Sequence, residues 1–107
     1  MRRGRPRTAI PARVKPGPDG WYVQFPDEPW FIWVHTHVRD FEWDSFGASA
    51  GHMLEGAEVT ILKTWSVLFK HGPMEGERLD VVKVRGPNLE GRQITGWALA
   101  SDFETIA

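Results

Sequence analysis

No cysteine occurs anywhere in the chain, so disulfides and thiolate metal sites are excluded and the redox compartment is left open. Long apolar runs are missing too: no stretch approaches the roughly 18 apolar residues of a membrane-spanning helix. The opening MRRGRPRTAI has charge without an apolar run behind it. No signal peptide is therefore expected, and a cytoplasmic protein that does not engage membranes is the expectation. Amphipathic helical periodicity is absent as well, and no internal repeat is apparent. Ser45, Ser49, Ser66 and Ser101 all lack the Gly-flanked strand-to-helix setting that exposes a nucleophilic serine. The glycines between Gly47 and Gly56 do not lie between a strand and a helix, so they form no phosphate cradle.

What is present is a β-rich chain loaded with rings. The 107 residues allow one domain with its own core, and 41% apolar with 25% charged residues is ordinary for a globular protein. Six Trp and six Phe are more than such a chain usually holds, and each buries a large area, so the rings are expected to fill the core. The alternative places Trp30, Phe31, Trp33, Phe41 and Trp43 on an exposed platform that stacks bases or grips partner side chains. Their neighbours Asp27, Glu28, Asp40, Glu42 and Asp44 are acidic, which favours a protein over a nucleic acid on that face.

The net charge of −1 conceals a split. Residues 1–18 carry Arg2, Arg3, Arg5, Arg7, Arg13 and Lys15 with no acid, whereas the other 89 residues carry seven basic and fourteen acidic residues. Four prolines and little apolar content make residues 1–18 a flexible basic arm, leaving 19–107 as the folded domain. Any polyanion is expected to meet the arm.

Within the domain, strands are expected over Trp21–Phe25 and Trp30–Val38, separated by Pro26 to Pro29. In the second, Trp30, Ile32, Val34, Thr36 and Val38 face one way and Phe31, Trp33, His35 and His37 the other, with the first half covered on both sides. Asp40 to Asp44 alternates acid and ring, as an edge strand or an ordered loop with water-facing carboxylates. Gly47–Gly51 reads as a loop and His52–Leu54 as a turn. Glu58–Lys70 is too long for one ordinary strand, which predicts a bend near Lys63 and Thr64. Leu79–Val84 is a β-branched strand, Gly86–Gly91 a hairpin turn, and Arg92–Ala98 its partner strand. Ala98–Phe103 fits one tight helical turn before Glu104–Ile106 extends again. Five to seven strands without a helix predict an all-β barrel.

The order strand, turn, strand, helical turn, short strand resembles the C-terminal half of a Src-homology-3-type (SH3-like) barrel, bacterial variants included. Gly96 and Trp97 match the Gly followed by an aromatic or apolar residue, Ser101, Asp102 and Phe103 resemble its Ser-Asn-Tyr turn, and Ile106 its closing apolar residue. The resemblance covers about the last 50 residues, from near Gly56. It implies a small SH3-like β-barrel and a binding function without catalysis. The chain departs from the peptide-binding members. It has Ala98 or Leu99 where they carry a Pro and Phe103 where they carry a Tyr, and their acidic-aromatic signature near the first strand is missing, which speaks against Pro-rich peptides as ligands. Inside the arm, RRGRPR resembles the AT-hook core. Gly4 and Pro6 would keep the backbone narrow while Arg2, Arg3, Arg5 and Arg7 reach along an A·T minor groove of DNA. A solvated basic tail is the alternative.

Three functional expectations follow. In the first, the arm contacts nucleic acid and the acidic, ring-rich barrel binds a protein through Asp40, Glu42, Trp43 and Asp44. In the second, the barrel alone is an interaction or inhibitor module directed at a basic protein. In the third, His35 and His37, two apart on a strand, hold a metal with nearby carboxylates as a hydrolase. The first is preferred, and it needs neither cofactor nor metal.

Overall fold

The computed structural model describes residues 9–17, 27–38, 48–70 and 74–106. The all-β expectation holds. Among the described residues seven strands, β1 (Ile10–Val14), β2 (Phe31–His35), β3 (Ser49–Leu54), β4 (Glu58–Leu68), β5 (Arg78–Pro87), β6 (Gln93–Leu99) and β7 (Phe103–Thr105), form one antiparallel sheet. Its order is β3-β2-β6-β5-β4-β1-β7, so the sheet is open, with β3 and β7 at its ends. Among the described residues no helix is long and apolar enough to cross a membrane.

β1 corrects the expected arm. Residues 1–8 lie outside the described residues, but Ile10–Val14 is an interior strand between β4 and β7. Ala12 and Val14 are fully buried while Pro11 and Arg13 face outward, a period of two hidden among Pro and Arg. Pro11 has no N–H to donate, but its carbonyl still accepts a hydrogen bond from Ile106 N at 3.0 Å. Arg13 pairs with Glu104 of β7 at 2.9 Å.

β4, β5 and β6 form a meander. The long β4 is one strand rather than two, with a bulge between Ile61 and Lys63, where the bend is expected. The β5–β6 turn closes as its residues dictate: the Asn88 Oδ1 accepts from the N–H groups of Glu90 and Arg92, both at 2.9 Å, and Gly91 takes φ +82°. A 3₁₀ turn, Ala100–Asp102, connects β6 to β7. Ser49–Gly51 and His52–Leu54 are not loop and turn, since Ser49–Leu54 is β3, paired with β2, while Gly47 lies outside the described residues. The expected strand over residues 21–25 and the ring-and-acid segment 40–44 lie outside the described residues.

Among the described residues the core is mainly aliphatic. Val14, Val34, Val59, Val82 and Val84 pack with Ile32, Ile61 and Met53 on one face of the sheet, joined by Phe103. Burial of each such side chain stabilises by about 1.5–3 kcal/mol. A smaller cluster of Val38, Val67, Phe69 and Val81 forms on the opposite face, with Trp97 and Leu99 against it. Successive strand residues point opposite ways, so burial of both Val81 and Val82 means that β5 is covered on both sides there. β2 is not: Ile32 and Val34 are buried, but Trp33 between them is 56% exposed.

Candidate functional site: the outward face of β2, β6, β5 and β4

Strand alternation points Phe31, Trp33 and His35 away from the core. Trp33 stands opposite His52 of β3. The two rings meet with centroids 4.3 Å apart and planes at 68°, and Phe31 meets the same imidazole at 5.0 Å and 81°. His52 thus braces both rings edge-on, which holds Trp33 in place while leaving it exposed.

β2 and β6 are paired at one position, His35 opposite Trp97. The close approach there depends on Gly96: a Cβ on it would lie 2.5 Å from Val34 Cγ1 and 2.6 Å from the His35 carbonyl oxygen. Beyond that pairing the strands part and leave a cleft of about 390 Å³, walled by Trp30, Phe31, Trp33, His35 and Leu99, with Asp102 of the 3₁₀ turn at one end. Burial pushes the Asp102 carboxyl above its ordinary range, and Lys15 pulls it partly back. The Lys15 N–H also donates to the Asp102 carbonyl at 2.9 Å, tying the end of β1 to this turn.

On the far side of His35 the same sheet face continues. Register aligns His35, Trp97, Lys83 and Lys63 in one row across β2, β6, β5 and β4. Trp65 lies two residues from Lys63 and is 45% exposed; its ring centroid is 6.2 Å from that of Trp97, with planes at 60°. Lys63, Thr64, Trp65 and Trp97 line a second cleft of about 420 Å³.

No protein-family model, curated protein or solved structure matches this chain. The chemistry of the site therefore rests on its own geometry.

The residues expected to carry function are placed unevenly. Arg2, Arg3, Gly4, Arg5, Pro6 and Arg7 lie outside the described residues, as do Asp40, Glu42, Trp43 and Asp44. His35 is on β2, but His37 is past the strand's end, with its Nδ1 3.2 Å from Thr36 Oγ1, so the two do not form the strand pair expected of a metal site. Among the described residues no three of His, Cys, Asp and Glu gather as a metal site would need. Lys63, Trp65, Lys83 and Trp97 were not expected to meet. A signal did exist in the bend of β4, because an extra residue in a strand moves everything after it to the other face.

Proposed function

We propose that the chain is a non-catalytic binding module with an SH3-like barrel. Its β2–β6 cleft takes a protein segment, and its basic arm contacts nucleic acid. Three features favour the SH3-like reading: β1 pairs with both β4 and the last strand, β4–β5–β6 is a meander, and a 3₁₀ turn precedes β7. The last two follow the order that the C-terminal resemblance implies.

The observation that carries the binding reading is the cleft itself: the exposed Trp33 and half-buried Phe31 braced edge-on by His52, beside a half-buried carboxylate. Exposed aromatic side chains that are already ordered lose little entropy on binding and serve as anchors. Asp102 suits a partner segment that brings an apolar side chain and a basic one. Asp40, Glu42, Trp43 and Asp44, which follow β2 in the sequence, belong to the protein-binding residues of this proposal.

Selection of a displayed peptide library on the full chain tests the cleft. A common apolar-and-basic motif is expected, lost on Trp33→Ala and weakened on Asp102→Asn. Enrichment indifferent to both substitutions contradicts the proposal. For the arm, changing Arg2, Arg3, Arg5 and Arg7 to Ala in the full chain is expected to abolish salt-sensitive binding to an A·T-rich duplex. Undiminished duplex binding contradicts it.

A further inference from the structure

The row of Lys63, Lys83 and Trp97 with the neighbouring Trp65 is used by neither the arm nor the cleft. We infer that this outward face of β4, β5 and β6 is a second binding surface, for single-stranded nucleic acid, built from two lysines and two tryptophans.

The first argument is a cost. Lys63 and Lys83 stand directly opposite each other, and like charges in that position destabilise a sheet. The bulge produces this pairing. Ile61 is opposite Val84; were Leu62 paired in regular register instead of bulged, Lys63 would fall opposite Val82, on the core-facing side. The insertion thus turns both Lys63 and Trp65 outward, beside Lys83 and Trp97. An anion lying between the two ammonium groups offsets their repulsion.

Charge along the described strand positions of this face points the same way. Register and alternation place Glu58, Thr60, Lys63 and Trp65 of β4, Lys83 and Arg85 of β5, and Gln93, Thr95 and Trp97 of β6 on this face, while at its far end Val67 and Val81 are buried in the smaller cluster with Leu79 and Leu99 packed against it. Glu58 is the one acid among these strand positions, and it is paired in register with Arg13 of β1. Among the described strand positions at the centre of this face the charged residues are therefore lysines.

The third argument is the rings. Trp65 and Trp97 meet at 60° rather than stacking on each other, and a cleft opens at them beside Lys63. An indole face next to an ammonium group matches an unpaired base next to its phosphate, since bases stack on aromatic rings while cations track the backbone. A duplex hides its base faces, and an acidic peptide offers charge without a ring to stack. Strand spacing makes the row from His35 to Lys63 about 14 Å wide, enough for a short stretch of strand.

Fluorescence anisotropy of a labelled oligothymidylate of about twelve nucleotides with the full chain tests the inference. Binding that weakens with salt is expected. Changing Lys63 and Lys83 together to Gln is expected to lower affinity and to flatten the salt slope by about 1.4, roughly 0.7 for each phosphate no longer neutralised. Trp65→Ala is expected to cost about 5- to 150-fold in affinity with the slope unchanged. Thermal unfolding of the same variants confirms that they fold; should Trp65→Ala not fold, Trp65→Leu carries the test. No binding by the parent chain, an unchanged slope in the lysine double variant, or equal competition by polyglutamate of matched charge would each overturn the inference. The arm variant separates the two readings: it is expected to lose duplex binding and to retain the slope change on Lys63 and Lys83 substitution.

Discussion

Lys63 and Lys83 face each other across the β4–β5 ladder because Leu62 is inserted between two registers of pairing. Their repulsion predicts an inverse relation between stability and binding. Lys63→Glu replaces a like-charge pair with an opposite one and is expected to raise unfolding free energy by about 0.2–1 kcal/mol in a denaturant titration at low salt. The same change is expected to weaken oligothymidylate binding. A variant that loses both stability and binding would show that Lys63 is there for the fold.

Gly96 holds β2 against β6. A methyl group at this position would meet the His35 carbonyl oxygen at 2.6 Å, and a backbone atom cannot swing aside as a side-chain end can. Gly96→Ala is expected to cost about 1–3 kcal/mol, the range for overpacking, and to lower the unfolding temperature. It is also expected to widen the β2–β6 cleft and weaken any ligand held there. Unchanged unfolding would contradict the dependence of this junction on Gly96.

Asp102 makes stability depend on pH. The carboxyl ionises near 3.8 when unfolded, whereas burial in the fold delays ionisation to higher pH, against a smaller opposing pull from Lys15. Between the two values the folded chain holds a proton that the unfolded chain has released. The contribution of Asp102 is thus fully present below pH 3.8 and is lost as pH rises through the native value. Asp102→Asn is expected to gain on the parent at neutral pH and not in acid, as read from denaturant midpoints. Lys15→Met is expected to steepen the parent's decline. A difference between Asp102→Asn and the parent that is the same at both pH values would exclude this linkage.

Buried Met53 and exposed Trp33 predict opposite responses. Met53 is fully buried, and Met53→Ala is expected to cost about 2–5 kcal/mol. Trp33→Ser, at a ring 56% exposed, is expected to cost under about 1 kcal/mol while removing ligand binding at the cleft. Denaturant midpoints of the two variants check this directly.

The legible half of the chain was the half with unmixed local signals. From Leu79 onward, β-branched alternation, a Gly-to-Gly turn and a segment too short for an α-helix lead to β5, β6, the 3₁₀ turn and β7 within a residue or two, except that β5 runs three residues past Val84 and takes Gly86 and Pro87 out of the expected turn into pairing with β6. β1 was hidden because Pro11 and Arg13 give Ile10–Val14 the composition of a tail, while the fold needs only Ala12 and Val14 on the buried side. β3 was hidden because Gly51 and Ser49 read as a loop; Gly51, at φ +142°, fits a strand through pairing with β2 that no local rule supplies. The rings misled for a different reason. Their size makes them good core residues in general, and Phe69 and Phe103 are buried, but among the described residues Trp33 and Trp65 lie outward while aliphatic side chains make up most of the buried clusters. As for the site, Trp97 and Lys63 are 34 positions apart, and they share a row by virtue of a bulge and two hairpin registers.

The central claim is that the outward face of the sheet, not the interior or the arm alone, is where this protein meets its ligand. Amide and indole chemical-shift mapping of the labelled full chain, titrated with oligothymidylate at low salt, addresses it most directly. Shifts concentrated at the Trp65 and Trp97 indoles and at the Lys63 and Lys83 amides are predicted, with the buried Val14, Val84 and Met53 unmoved. Shifts confined to the arginines of residues 2–7, or spread evenly over the chain, would contradict the claim.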